Sequence, residues 1–300
     1  MKISKNNYSK LNTDEIERYK RHLTLKSIGI EGQLNLKNSS VILIGAGGLG
    51  SSAILYLAAA GIGTIGIADN DQVEKSNLQR QIIHNSQEIG SLKTYSAKKR
   101  INELNPNCLV KTFTDRVNPK NILSIIEQFD IVCDCSDNFG TRYLINDACM
   151  ILNKPFIYGS VQGFEGQISV FNLHPESPNL RDFIPISPQQ YVIPSCEEFG
   201  VIGVSPGLIG ILQANEIIKI IVGKGDILDG KIFVFDLLNC TTKTLNLKAD
   251  NKNKEIADLI KFQDDYEEET CLANKAKILK INHEDFTKIY NKNLRQIIII

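Results

Sequence analysis

The chain has 300 residues, 42% hydrophobic and 23% charged, enough for one large domain or two modest ones with a sizeable core. Lys+Arg and Asp+Glu both total 34, so a strongly basic nucleic-acid binder or a polybasic membrane-surface protein is excluded as the default class. Seven cysteines, an odd number with no CxxC pair, argue against a disulfide scaffold and a thiolate zinc site and for a reducing compartment.

The opening MKISKNNYSK lacks the apolar core of a secretory signal and is too short and too poor in Arg for a transit peptide. Residues 12–36 read as a polar helix and a short loop, capped by Asn12 or Thr13, with Asp14, Glu15 and Glu17 favouring its first turn. VILIG at 41–45 reads as a buried parallel strand running into glycines. SSAILYLAAAGIG at 51–63 reads as a helix stopped by Gly61 and Gly63, and TIGIAD at 64–69 as a second strand, making a βαβ unit. The alternation continues with a helix at 91–104, a strand at 108–113, a helix at 119–128, a strand at 130–137, a helix at 140–153 and a strand at 155–160. This predicts an α/β fold with a doubly wound, Rossmann-like, mostly parallel sheet behind an N-terminal helical segment.

From residue 161 the pattern predicts antiparallel strands at 166–173 and 231–238, with an irregular crossover at 174–190 and a strongly apolar helix at 207–223. No stretch reaches the roughly 18 consecutive apolar residues of a membrane span. The expected organisation is one domain over 1–248, a charged linker at 249–273 and the opening of a further domain at 274–300. Ile and Asn supply roughly a quarter of the chain, a bias that suggests an AT-rich genome. The expected setting is a plastid (chloroplast) stroma if organelle-encoded, otherwise a bacterial cytoplasm.

The sharpest local signal is GAGGLG, with Gly45, Gly47 and Gly50 fitting GxGxxG between a strand and a helix. Such glycines let the backbone turn tightly and approach a phosphate, while the helix N-terminus offers unpaired N–H groups. Asp69 ends the next strand, where a carboxylate can accept ribose hydroxyls. The motif alone does not separate NAD from ATP. The following loop, DNDQVEKSNLQRQ, adds Asp71, Asn77 and Arg80, and Lys93 stands at the start of the next helix. Two cations suit a chain of phosphates longer than a pyrophosphate; a solvated charged loop is the bland alternative. DCSDN places Asp137 and Asn138 at the end of a later strand, where a carboxylate suits Mg²⁺ against phosphates or simply caps a helix. Cys133, Cys135 and Cys149 read as core, His84 as structural, and Cys108, Cys240 and Cys271 carry no signal.

Together GAGGLGS, the Asp69/Asp71 pair, SNLQRQ, the lysine after Gly90, DCSDN, EGQISVF and PSCEEFGVIG resemble the MoeB/ThiF/HesA adenylyltransferases of the ubiquitin-activating-enzyme superfamily, in order and spacing, from about Glu15 to about Leu247. The resemblance implies MgATP-dependent adenylation of the C-terminal glycine carboxylate of a small ubiquitin-like sulfur carrier, with pyrophosphate released. A MoaD-type carrier for molybdopterin synthesis is the leading partner and a ThiS-type carrier for thiamine the alternative. The implied roles give Arg80 and Lys93 the phosphate charge and Asp137 the metal. Gly45, Gly47, Gly48, Asp69, Asp71, Ser76, Asn77, Leu78, Gln79 and Asn138 complete the nucleotide set. Arg21 matches an arginine that reaches into a neighbouring subunit, which implies a homodimer. Cys196, in PSCEEFG, matches a cysteine that can link covalently to the carrier, although adenylation needs no thiolate.

One departure stands out. The family carries a structural zinc on two CxxC pairs, whereas 178–182 (PNLRD) and 247–256 (LKADNKNKEI) contain no cysteine. No zinc is therefore expected, and the crossover after residue 173 must be held by other contacts or be looser. Residues 274–300 resemble the opening of a rhodanese domain. Two other classes remain: an NAD-dependent oxidoreductase, supported by the glycine motif and Asp69 but opposed by Arg80, Lys93 and Asp137, and a non-catalytic carrier-binding module.

Overall fold

In the structure, a computed structural model that describes residues 10–185 and 200–254, Asn12 opens α1 (Thr13–Arg18). The Asn12 side chain accepts the Glu15 N–H, and the Glu15 carboxylate accepts the Asn12 N–H in return. The helix and short loop expected over 12–36 are three helical pieces, α1, α2 (Lys20–Leu23) and α3 (Gly29–Lys37). The first break falls at Tyr19, whose φ of −96° and ψ of 13° leave the helical well. Its ring is buried, and its hydroxyl accepts from Asn105 Nδ2 at 2.8 Å, so tertiary packing overrides helix continuation.

The apolar run after Ser39 forms β1 (Ser40–Ile44), buried from Val41 onward. It leads into α4 (Gly48–Ala60), which starts inside the glycine run, three residues earlier than expected, and ends where Gly61 adopts a left-handed φ of 88°. Then follow β2 (Thr64–Ala68), α5 (Lys93–Leu104), β3 (Leu109–Phe113), α6 (Ile122–Ile126), β4 (Ile131–Asp134), α7 (Phe139–Leu152) and β5 (Phe156–Gln162). These strands pair in parallel in the order β3-β2-β1-β4-β5.

The chain then reverses. β6 (Glu165–Phe171), β7 (Lys231–Asp236) and β8 (Thr241–Asn246) add antiparallel to β5 in sequence, completing an eight-stranded sheet among the described residues. Two elements escaped the sequence pattern. The short α8 (Leu180–Phe183) lies within the crossover, and β8 is exposed along its whole length, with no apolar alternation to announce it.

The apolar helix is α9 (Val204–Val222). By length and composition it could cross a bilayer, which the count of consecutive apolar residues did not indicate. It packs instead on α4, α3, β5 and β6. Two of its buried polar residues are paired: Gln213 Nε2 donates to the Asp134 carbonyl at 2.7 Å, and Glu216 Oε2 accepts the Leu228 N–H at 3.0 Å. Helices on both faces bury the parallel strands around Leu43, Ile54, Leu57, Ile65 and Ile217. Cys133, Cys135 and Cys149 belong to this interior, as does Cys108. Burial pushes the Cys108 thiol up to about 12 and raises Cys149 well above its ordinary value. For Cys135 the hydrogen-bonded neighbour Cys133, then burial, does the same, and such thiols are inert.

Candidate functional site

A cavity of about 330 Å³ opens at the carboxyl ends of the parallel strands, where doubly wound sheets place their ligands. Its floor is the glycine turn. At Gly45 the backbone is left-handed, with φ of 105°, and a Cβ would lie 2.6 Å from the Cys135 carbonyl oxygen, so the fold itself demands glycine there. Gly47 is different. A Cβ on it would meet nothing nearer than Gln81 Nε2 at 3.6 Å, so the protein leaves that space open to the cavity. Gly47 is also the N-cap of α4, and no side chain caps that helix, so its first-turn amides remain available to an anion.

Ala46, between these glycines, is held at both polar backbone atoms. Its N–H donates to Asp69 Oδ2 at 2.8 Å, and its carbonyl accepts from His84 Nε2 at 3.0 Å. Because a carbonyl only accepts, His84 carries its proton on Nε2, and its Nδ1 accepts from the Ser96 hydroxyl at 2.9 Å. Burial lowers the His84 pKa and keeps the ring neutral. His84 is thus structural, and the element it supports is the glycine turn.

Asp69 Oδ1 accepts the Asp71 N–H at 2.9 Å, so each carboxylate oxygen already takes one backbone donor. An ionised carboxylate offers about four lone-pair sites, which leaves capacity for a ligand hydroxyl. Burial raises the Asp69 pKa, while Lys93 and the two backbone donors oppose the shift. Lys93 opens α5, is buried, and pairs through Nζ with Asp71 Oδ2 at 2.8 Å. Arg80 also lines the cavity, its Nη1 donating to the Ser76 carbonyl at 3.2 Å.

Across the cavity, Asp137 is exposed at the rim and Asn138 serves as the cap. Asn138 Oδ1 accepts the Thr141 N–H at 2.8 Å and starts α7, leaving the Asp137 carboxylate unused by the cap. The turn is fixed from below by Asp134, whose Oδ1 accepts from both the N–H and the hydroxyl of Ser136, at 2.9 and 2.6 Å. Arg142 adds a bond to the Ser136 carbonyl at 3.1 Å and one to the Tyr158 hydroxyl at 3.2 Å. Asp134 is wholly buried, and desolvation raises its pKa against the pull of Arg142. Among the described residues no three His, Cys, Asp or Glu side chains converge as a preformed metal cage. One carboxylate with waters and substrate phosphates is the ordinary way to hold Mg²⁺, and Asp137 suits it.

The structure thus gathers Gly45, Gly47, Gly48, Asp69, Asp71, Arg80, Lys93, Asp137 and Asn138 around one cavity. Ser76, Asn77, Leu78 and Gln79 do not line it; they form the turn that delivers Arg80. Asn77 is spent on that turn, its Oδ1 accepting the Glu74 N–H at 3.2 Å. Arg21 is exposed on α2, away from this chain's cavity, and Cys196 lies outside the described residues. Asp115 and Arg116 line the cavity without having been anticipated. They follow β3, and the rule that ligands gather beyond strand ends is the signal that points to them. Arg142 was missed too; an arginine within the apolar stretch of α7 is the clue.

Fold and cavity define a Rossmann-like α/β domain built around an anion-receptive glycine turn. The chain belongs to the ThiF family, whose model matches residues 19–256. It is 43% identical over 250 residues to "Adenylyltransferase and sulfurtransferase MOCS3" of Drosophila grimshawi, covering 83% of this chain and 56% of that protein. It is 42% identical over 260 residues to "Probable adenylyltransferase/sulfurtransferase MoeZ" of Mycobacterium tuberculosis, covering 85% and 66%. The chain therefore spans a little over half the length of the MOCS3 relative. Among solved structures, E. coli MccB with ATP superposes with a TM-score of 0.68 at 22% identity, covering 78% of this chain and 72% of that one, which shows a shared fold.

Proposed function

We propose that this domain adenylates the C-terminal glycine carboxylate of a small ubiquitin-like sulfur-carrier protein, using MgATP and releasing pyrophosphate. The observation that carries the reading is the convergence on one cavity of an uncapped helix N-terminus, two cations, Arg80 and Lys93, and an exposed carboxylate, Asp137. The names of the relatives and the ATP held by MccB support it. Here the acceptor carboxylate attacks the α-phosphorus, the bond to the bridging oxygen breaks, and pyrophosphate leaves with that electron pair. Little acid–base help is needed; charge neutralisation is the main requirement.

The chain's own groups divide that task. The α4 amides and the open face of Gly47 cradle phosphate oxygens, while Asp69 receives ribose hydroxyls. Arg80 and Lys93 balance the charge that builds on the leaving group. Asp137 would hold Mg²⁺, which neutralises phosphate charge when bound. A MoaD-type carrier, for molybdopterin synthesis, is the favoured acceptor, and a ThiS-type carrier is the alternative. Arg21, exposed on α2, would serve the neighbouring subunit of a homodimer.

ATP–pyrophosphate exchange with Mg²⁺, run separately with a MoaD-type and a ThiS-type carrier, tests the reading. Exchange should occur with one carrier and vanish when its terminal glycine is deleted. ATP binding without exchange on either carrier would sink the proposal.

A further inference from the structure

The family's zinc centre and this chain do not fit one another. The two segments where thiolate pairs belong are Asn179-Leu180-Arg181-Asp182 and Asp250-Asn251-Lys252-Asn253, which keep the two-residue spacing of CxxC but carry only amides and carboxylates at its ends. The space between them is filled by donors. Asp182 Oδ1 accepts the Asp250 N–H and Asn253 Nδ2, each at 2.8 Å, and its Oδ2 accepts the Asn179 N–H at 2.8 Å. Asn179 Oδ1 accepts the Arg181 N–H at 2.8 Å, and its Nδ2 reaches the Asn253 carbonyl at 3.4 Å. Asn253 Nδ2 also approaches the Arg181 carbonyl at 3.4 Å, and Asp250 Oδ1 takes the Lys252 N–H at 3.0 Å. N–H groups point at the atoms a cation would need, so a metal could enter only by breaking this set.

We propose that Asn179, Asp182, Asp250 and Asn253 form a metal-free clasp that joins α8 to the chain after β8, the task that zinc performs on four cysteines. Further bonds seat both sides. Arg181 Nη2 pairs with the buried Asp147 at 2.6 Å, and Leu180 N–H donates to Asn146 Oδ1 at 2.8 Å, so α8 is fastened to α7. Lys254 Nζ donates to the Pro175 carbonyl at 2.5 Å, closing the other end. Asp182 is the hub, because both of its oxygens are used and one serves two donors from the C-terminal segment.

The test uses the full chain. Metal analysis of the purified protein should find well under one zinc per chain, and its Tm should not move with a zinc chelator or with added Zn²⁺. One tightly held zinc per chain, or a chelator-induced fall in Tm, overturns the proposal. Asp182→Ala should lower Tm by about 5 °C and Asn253→Ala by about 3 °C. The double variant should fall by less than the sum of the two single losses, because the two residues share one bond; additive losses overturn the clasp. The quadruple variant Asn179→Cys, Asp182→Cys, Asp250→Cys, Asn253→Cys should bind one Co²⁺ with thiolate-to-cobalt absorption. A folded quadruple variant that ignores cobalt overturns the assignment of these four positions.

Discussion

In the parallel part of the sheet, β4 is buried at every residue and β1 at all but its first. In the antiparallel part, β7 is buried only at Ile232, and β8 is exposed throughout. The first part is held by apolar layers on both faces and can spare its strand ends for a polar cavity. The crossover and tail that accompany the second are held by named polar contacts, Arg181 to Asp147 and Asp182 to Asn253. Side-chain loss should therefore act on chemistry in one region and on folding in the other.

The sharpest way to break that contrast is Asp137→Ala. Asp137 is exposed and does not cap α7, so Tm should stay within about 1 °C. Exchange should fall by about 10²–10³-fold, as expected when a group stabilising transition-state charge is lost. A matching fall in Tm would erase the distinction. Arg181→Ala should do the reverse. It strips a partner from Asp147, which is fully buried, and should cost about 3 kcal/mol in urea unfolding while exchange per folded molecule persists.

Gly47→Ala sharpens the comparison within the parallel part. Its Cβ meets no protein atom closer than 3.6 Å, so Tm should hold, yet ATP affinity measured by calorimetry should drop about tenfold, near 1.4 kcal/mol. Unchanged affinity would mean that phosphates do not approach this glycine.

The smallest effect concerns His84. Burial lowers its folded pKa below the unfolded value of about 6.5, so between those values the unfolded chain binds a proton that the folded chain refuses. His84 therefore favours folding fully above pH of about 6.5, and that contribution is lost as pH falls towards the folded pKa. Tm should drop between pH 7.5 and 5.5 more steeply for the native protein than for His84→Gln. Equal slopes would clear His84 of the effect.

The same contrast governs what was legible in the sequence. β1, β2 and the glycine turn could be read because burial on both faces writes an apolar run and a helix start writes glycines. Lys93 and Asp137 could be placed because both sit where a strand end or helix start must lie. β8 could not be read, since TTKTLN is exposed and paired only through its backbone with β7. Nor could α8, four residues held by a capping box and an ion pair to a distant helix. The break at Tyr19 depends on Asn105, a partner 86 residues away that no local pattern encodes. Asp134 acts beneath the site while Arg142 lines it, and their pairing exists only once α7 has packed on the sheet.

The pinning of Ala46 has a thermodynamic corollary. A loop tied at one backbone atom by Asp69 and at the other by His84 arrives at its ligand already shaped. Ordering a residue costs about 1–2 kcal/mol, and here that cost is met when the chain folds rather than when a nucleotide binds. Affinity at the glycine turn then depends on how well the ligand fills a fixed mould, with little of the interaction diverted into making the mould.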